Sequence, residues 1–183
     1  MTDLTALERL LLERSVKRGD FLLASGQRSS YYIDCRMTTM SAEGLVLIGQ
    51  AGLTAIRRRS WEPQAVGGLT MGADPVAYAI AAASFGSARV INAFSVRKDA
   101  KQHGTRQAIE GNFHPGDRVV VVEDVITSGG SALQAISKLE ENGAQVLGVL
   151  AVVDREQGGS DKLKAAGFEV VSLTTSGGLG LTN

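Results

Sequence analysis

The chain has one cysteine among its 183 residues, Cys35, so neither an internal disulfide framework nor a cysteine-based zinc site is available to it. That cysteine is expected to pack as a small buried or half-buried residue of a strand. An excess of charge of either sign is missing too: Lys plus Arg and Asp plus Glu are both 19. No overall basic field draws the chain to nucleic acid or to a membrane surface, so any anion must be bound by a local cluster. No apolar run reaches the length of a membrane span. The N-terminus has no basic segment leading into an apolar one, so no secretory signal is expected and the cytoplasm is the expected compartment. Internal repeats and low-complexity segments are absent. What remains is a hydrophobic content of 44% with 21% charged residues, enough for a single globular domain with a sizeable core.

Leu4, Leu7, Leu10 and Leu11 recur at helical spacing, which predicts a first helix ending near Gly19, with Thr2 or Asp3 as its cap. Phe21–Ala24 and Ser30–Arg36 read as two short strands around a turn at residues 25–28. A helix capped by Ser41 runs to about Arg59, and a short apolar strand follows at Ala65–Leu69. Asp74-Pro75 fits a cap followed by proline at the first position of an alanine-rich helix. Arg89–Val96 reads as a strand, and the polar stretch Arg97–Asn112 has no period, which marks a long functional loop. Val119–Val122 is a β-branched strand of the kind found inside parallel sheets. A helix over residues 130–142, a strand at Val146–Val153, a helix at Asp161–Ala166 and a strand at Glu169–Thr174 follow. The tail after Ser176 is glycine-rich and is expected to fray. Strand–helix alternation from residue 41 onward predicts an α/β fold with a mostly parallel central sheet flanked by helices. The expected layout is one domain over 1–183, with a small N-terminal helix-hairpin hood over about 1–40 and the α/β core over about 41–176.

The run Val119–Ser131 (VVVVEDVITSGGS) concentrates the chemistry. Glu123 and Asp124 stand at the end of a buried strand, where open parallel sheets bind ligands. Val125 and Ile126 separate them from Thr127, Ser128, Gly129, Gly130 and Ser131, whose small side chains let backbone N–H groups approach a phosphate. The following helix adds the positive end of its dipole. The loop has no Gly-Lys-Ser/Thr and no Gly-x-Gly-x-x-Gly, so neither a triphosphate cradle nor a dinucleotide site is indicated. Acids upstream of a single phosphate cradle suit a ribose 5-phosphate. The competing reading is a solvated strand end beside an ordinary helix cap, and the concentration of acids, small residues and helix start in one run argues against it. Arg97, Lys98, Lys101 and His103 fall within seven residues. They are either a solvated charge run or cations placed for a departing anion, with His103 able to donate a proton. Arg155 suits a surface ion pair with Asp154 or Glu156 as well as bidentate carboxylate binding. His114, before Pro115 in a turn, reads as structural.

VVVVEDVITSGGS resembles the phosphoribosyl pyrophosphate (PRPP) motif of the type I phosphoribosyltransferases, and RKDAKQHG resembles the catalytic loop of their orotate branch. FLLASGQRSSYYIDCR, GGLTMGADPVA and VVDREQGG resemble that branch's N-terminal hairpin, pyrophosphate loop and orotate-carboxylate segment, so the likeness spans nearly the whole chain. The resemblance implies that PRPP meets Arg97, Lys98, Lys101, His103 and every residue from Glu123 to Ser131, with Lys101, His103 and Asp124 catalytic. It implies that orotate meets Tyr31, Tyr32, Thr127 and Arg155, with Ser25-Gly26 near the base. It further implies Mg²⁺ carried by PRPP and water, without direct side-chain ligation. The same likeness implies a homodimer whose catalytic loop is shared between subunits, and no nucleic-acid or membrane partner.

Three departures stand out. Ala24 and Gly72 occupy positions where some members carry lysines, so two cationic contacts to PRPP are missing, and Glu123-Asp124 replaces Asp-Asp. Two rivals remain: a transferase for a purine or another pyrimidine, and a non-catalytic PRPP sensor. The sensor reading is opposed by the zero net charge, the intact basic loop and an N-terminal helix too short for a helix-turn-helix unit.

Overall fold

The structure is a computed structural model and describes residues 4–22, 28–98 and 108–181. Its centre is a six-stranded sheet in the order β5-β4-β3-β6-β7-β8. The strands are β3 (Ala65–Leu69), β4 (Asn92–Val96), β5 (Ile109–Gly111), β6 (Arg118–Ile126), β7 (Gln145–Asp154) and β8 (Val170–Thr175). All neighbours pair in parallel except the short edge strand β5, which runs antiparallel to β4. Helices α3 (Ala42–Arg58) and α4 (Ala73–Ser84) cover one face, and α5 (Gly130–Glu141) and α6 (Gly159–Ala165) the other. Four consecutive valines are explained by this double cover. Val120 and Val122 join the core beneath α3 and α4, while Val119 and Val121 join the core beneath α5.

Ahead of the sheet lie α1 (Leu4–Arg14), the antiparallel hairpin β1 (Val16–Leu22) and β2 (Arg28–Ile33), and a single turn of helix, α2 (Arg36–Thr39). The first helix therefore stops five residues before Gly19, and residues 16–22 form a strand instead, its register shifted between Arg18 and Phe21. Ser15 is the pivot: its hydroxyl lies 2.7 Å from that of Thr38, and its carbonyl accepts the Asp34 N–H at 2.9 Å. β1 is mostly exposed and its polar Lys17-Arg18-Gly19-Asp20 shows no alternation, so no strand pattern marks it. Cys35 is buried as expected, yet it sits just past β2 at the start of α2 and not within a strand.

Ser41 caps α3 as anticipated, its hydroxyl accepting the Gly44 N–H at 3.0 Å. Asp74 does not cap α4. That helix begins at Ala73, and Pro75 falls within the first turn, where its missing N–H has no intrahelical partner to lose. The tail does not fray through residue 181. Leu179 and Leu181 are buried in the core with Leu7 and Leu11 of α1, and the Leu181 N–H donates to the Ser176 carbonyl at 2.9 Å. Among the described residues no helix is long and apolar enough to cross a membrane.

Candidate active site

The site forms where the sheet's connectivity reverses. β3 leads outward to β4 and β6 leads the other way to β7, which opens a crevice at the carboxyl ends of β3 and β6. The register deepens it: β3 pairs with β6 only through Gly67↔Val121, whereas β6 continues beside β7 to Ile126↔Asp154. Glu123 and Asp124 therefore lie inside the last part of a strand, not beyond its end, on a stretch that has outrun one of its two neighbours.

Glu123 is 5% exposed, and its Oε1 has no hydrogen-bond partner among the described residues. Burial, with a smaller contribution from the adjacent Asp124 charge, pushes its carboxyl up to about 8, and Lys98 partly opposes the shift. Asp124 is also raised by burial, while the Val125 N–H donates to its Oδ1 at 2.9 Å and pulls the other way. Residues 127–131 then turn into α5. Gly129 adopts φ 72°, and a Cβ there would stand 2.8 Å from the Gly159 carbonyl oxygen, so glycine alone fits. Gly129, the N-cap of α5, makes no side-chain cap bond, and an uncapped helix start of this kind can bind an anion. Residues 123–132 enclose a pocket of about 240 Å³, with Val125, Ile126, Thr127, Ser128, Gly130 and Ser131 on its walls.

A second pocket of about 510 Å³ shares Glu123, Asp124, Val125 and Ser131 with the first. Its other walls are Tyr32, Asp34, Arg36, Lys98 and the turn Thr70-Met71-Gly72, whose Thr70-Met71 peptide is cis. Gly72 packs against the acids: a Cβ there would approach Asp124 Oδ1 to 2.6 Å. Thr70 donates its hydroxyl to Asp74 Oδ2 at 2.6 Å, fixing this turn to α4. Arg36 and Asp34 form a two-pronged ion pair, Nε to Oδ1 at 2.8 Å and Nη2 to Oδ2 at 3.0 Å, and Arg36 holds the Asp34 carboxyl below its ordinary range. Neither was singled out from the sequence. An Asp-x-Arg spacing alone carries no site signal, and α2 is too short to show a period.

The basic loop divides. Lys98 faces the second pocket, whereas Arg97 turns to β5 and pairs with Glu110, Nε to Oε1 at 3.0 Å. Lys101 and His103 lie outside the described residues, as do Ala24, Ser25 and Gly26. The two tyrosines of β2 also divide, as strand alternation requires. Tyr32 is exposed on the second pocket, its ring 5.8 Å from that of Phe21. Tyr31 is buried and lies under Arg155, whose guanidinium is 5.2 Å from the ring centre. Arg155 is 7% exposed, and its Nε and Nη2, the two donors of one edge, have no partner among the described residues. Its expected rivals for that charge are otherwise engaged: Asp154 accepts the Glu156 N–H and the Ser160 hydroxyl, and Glu156 accepts the Gly177 N–H. His114 is an exposed turn residue whose N–H donates to Asp117 at 2.8 Å, as its sequence context suggests.

Comparison with known proteins gives this geometry its lineage. Residues 40–174 match the phosphoribosyl transferase domain family. The orotate phosphoribosyltransferase of Aquifex aeolicus is 46% identical over 176 residues, covering 94% of this chain and 95% of that one. The chain belongs to the orotate phosphoribosyltransferase family. Crystal structures of the family's Mycobacterium tuberculosis member superpose on it closely. One in complex with Fe(III) dicitrate has a TM-score of 0.86 at 41% identity, covering 98% of this chain and 99% of that one. Another, in complex with PRPP, has a TM-score of 0.83 at 38% identity with the same coverage. The type I phosphoribosyltransferase fold expected from the sequence, a mostly parallel sheet with a small helix and hairpin ahead of it, is the fold observed.

Proposed function

We propose that this chain transfers the 5-phosphoribosyl group of PRPP to orotate, giving orotidine 5′-monophosphate and pyrophosphate in pyrimidine synthesis. The observation that carries the reading is the acid pair shared by two pockets, one walled by a phosphate cradle and the other by cations. The cradle of residues 127–131 takes the 5-phosphate, and Glu123 and Asp124 take the ribose hydroxyls. Glu123 is neutral below about pH 8 in the free protein, so it can donate to a hydroxyl as well as accept from one. As the anomeric C–O bond loosens, Asp124 stabilises the oxocarbenium-like ribosyl group from within a water-poor site. Lys98, with Lys101 and His103 from the same loop, neutralises or protonates the departing pyrophosphate. Arg155 presents its open Nε–Nη2 edge to the orotate carboxylate, and Thr127 and Tyr32 border the base. Orotate N1 then attacks the anomeric carbon with inversion.

Magnesium fits the donor chemistry. The acid pair offers hard oxygen atoms of the kind magnesium prefers. Glu123 and Asp124 would hold it through water, and when bound it supplies charge neutralisation on the diphosphate. The reading also includes a single domain with a hood over about 1–40 and a core over about 41–176. It includes a cytoplasmic homodimer with the catalytic loop shared between subunits, and neither a nucleic-acid nor a membrane partner.

Mixing the protein with PRPP, Mg²⁺ and orotate should bleach the orotate absorbance, with one pyrophosphate released per orotate consumed. Turnover of a purine or of uracil in preference to orotate would replace this reading with the broader phosphoribosyltransferase one.

A further inference from the structure

We propose that Lys138 is a positioning residue that fixes Lys98 relative to the phosphate cradle, making α5 the ruler between the two ends of PRPP. The inference rests on the reading of the two pockets above and adds a residue that neither touches the ligand nor lines either pocket.

Lys138 lies eight residues into α5, on the helix whose N-terminus forms the cradle. Eight residues of helix span about 12 Å at 1.5 Å per residue. Its Nζ donates to the carbonyls of Arg97 and of Lys98, each at 2.6 Å. Gln134, one turn earlier on the same face, adds a longer contact from Nε2 to the Lys98 carbonyl at 3.4 Å. These carbonyls need partners because β4 ends at Val96, whose own carbonyl accepts the Thr70 N–H at 2.8 Å. Beyond it the sheet supplies the Arg97 N–H with the Ala108 carbonyl at 2.9 Å, and Lys138 takes over on the acceptor side. An ammonium with three donors suits two adjacent carbonyls, and the charge makes both bonds stronger than neutral ones.

Lys98 shares the second pocket with Glu123 and Asp124, alongside Arg36. Among the described residues, the other ties near the Lys98 backbone are the Arg97 N–H to the Ala108 carbonyl, the Arg97–Glu110 pair and the longer Gln134 contact. With Lys138 in place, the 5-phosphate end and the diphosphate end of the ligand are referenced to one rigid helix. Electrostatic stabilisation needs such fixed placement, because a misplaced charge forfeits most of its effect. A lysine at this point of a helix face reads from sequence as an ordinary solvated residue, so only the fold exposes the tie.

The test compares wild type with Lys138→Met and Lys138→Arg. Each is titrated with Mg²⁺-PRPP and, separately, with ribose 5-phosphate, and each is assayed with both substrates varied. Lys138→Met should weaken PRPP about tenfold, the loss expected for one charge-assisted hydrogen bond. It should leave ribose 5-phosphate binding and the KM for orotate within twofold of wild type, and Lys138→Arg should recover most of the loss. Equal weakening of PRPP and ribose 5-phosphate, no weakening of PRPP, or an arginine variant no better than methionine would each overturn the proposal. The ligand titrations do not depend on the acceptor base. If orotate is not turned over, the function proposed above fails while the role of Lys138 is still decided.

Discussion

The guanidinium of Arg155 sits 5.2 Å from the centre of the Tyr31 ring, and the Tyr31 hydroxyl donates to Ser176 at 3.2 Å. One face of a buried cation is thus satisfied by an aromatic ring, while its Nε–Nη2 edge is left without a partner. Leaving such an edge unmade in the interior is expensive unless a ligand completes it. A planar carboxylate does so with two parallel bonds.

Lys in place of Arg155 keeps the charge but cannot present two donors in a plane. Arg155→Lys should raise the KM for orotate roughly ten- to a hundredfold, the value of the lost charge-assisted bonds. The KM for PRPP should stay within about twofold. Steady-state kinetics with both substrates varied checks this, and parallel rises in both constants would remove Arg155 from the base site.

Glu123 ties stability to pH. Its carboxyl is raised from 4.5 to about 8, so the folded protein keeps a proton that the unfolded chain releases. The stabilisation is complete below the unfolded value and is lost as pH climbs through about 8. Glu123→Gln removes this dependence. The two proteins should therefore diverge in unfolding free energy between pH 5 and 8.5, with the glutamine variant ahead at the alkaline end by on the order of a few kcal/mol. Urea unfolding at three pH values measures the gap. A gap that does not change with pH would show that Glu123 is not held neutral.

Much of this was readable in the linear sequence, for identifiable reasons. The apolar run alone places β3 at Ala65–Leu69, and Ser41 marks the α3 cap, because both signals are local. That residues 123–131 line one pocket is legible because the last part of β6, the turn and the start of α5 are continuous in sequence. What the sequence hid depends on contacts between distant segments. β1 carries no alternation and exists because β2 pairs with it. The burial of Tyr31 and exposure of Tyr32 follow from which face of β2 meets Arg155. The tail looked free because glycines dominate it, yet its two leucines reach the α1 core. Arg36, Asp34 and Lys138 gave no signal, since each acquires its partner only through the fold or a local turn.

Gly72 packs against Asp124 of the acid pair. In this chain even a methyl group at position 72 would stand 2.6 Å from Asp124 Oδ1. Either the carboxylate or the turn at residues 70–72 must move to admit it. Gly72→Ala should lower kcat/KM for PRPP roughly ten- to a hundredfold, the cost of displacing a catalytic group by about an ångström. Gly72→Lys should fare no better despite its added charge. Tighter PRPP binding by the lysine variant, measured by calorimetry, would show that the turn yields freely.

The tail links stability to the proposed base site. Leu181 is 3% exposed and packs in the same core as Leu7, Leu11 and Tyr31. Its N–H donates to the Ser176 carbonyl at 2.9 Å, and Ser176 in turn accepts the Tyr31 hydroxyl. Leu181→Ala should cost about 2–5 kcal/mol of stability, the usual range for a leucine emptied from a packed core. Because the emptied volume lies beside the segment that secures Tyr31, the KM for orotate should rise as well, and Ser176→Ala should reproduce that rise at a much smaller loss of stability. Urea midpoints and orotate kinetics on the two variants separate the effects. A Leu181→Ala protein of wild-type stability would mean that the tail lies loose on the surface, and wild-type orotate kinetics in Ser176→Ala would mean that the Tyr31 hydroxyl bond does not steady Arg155.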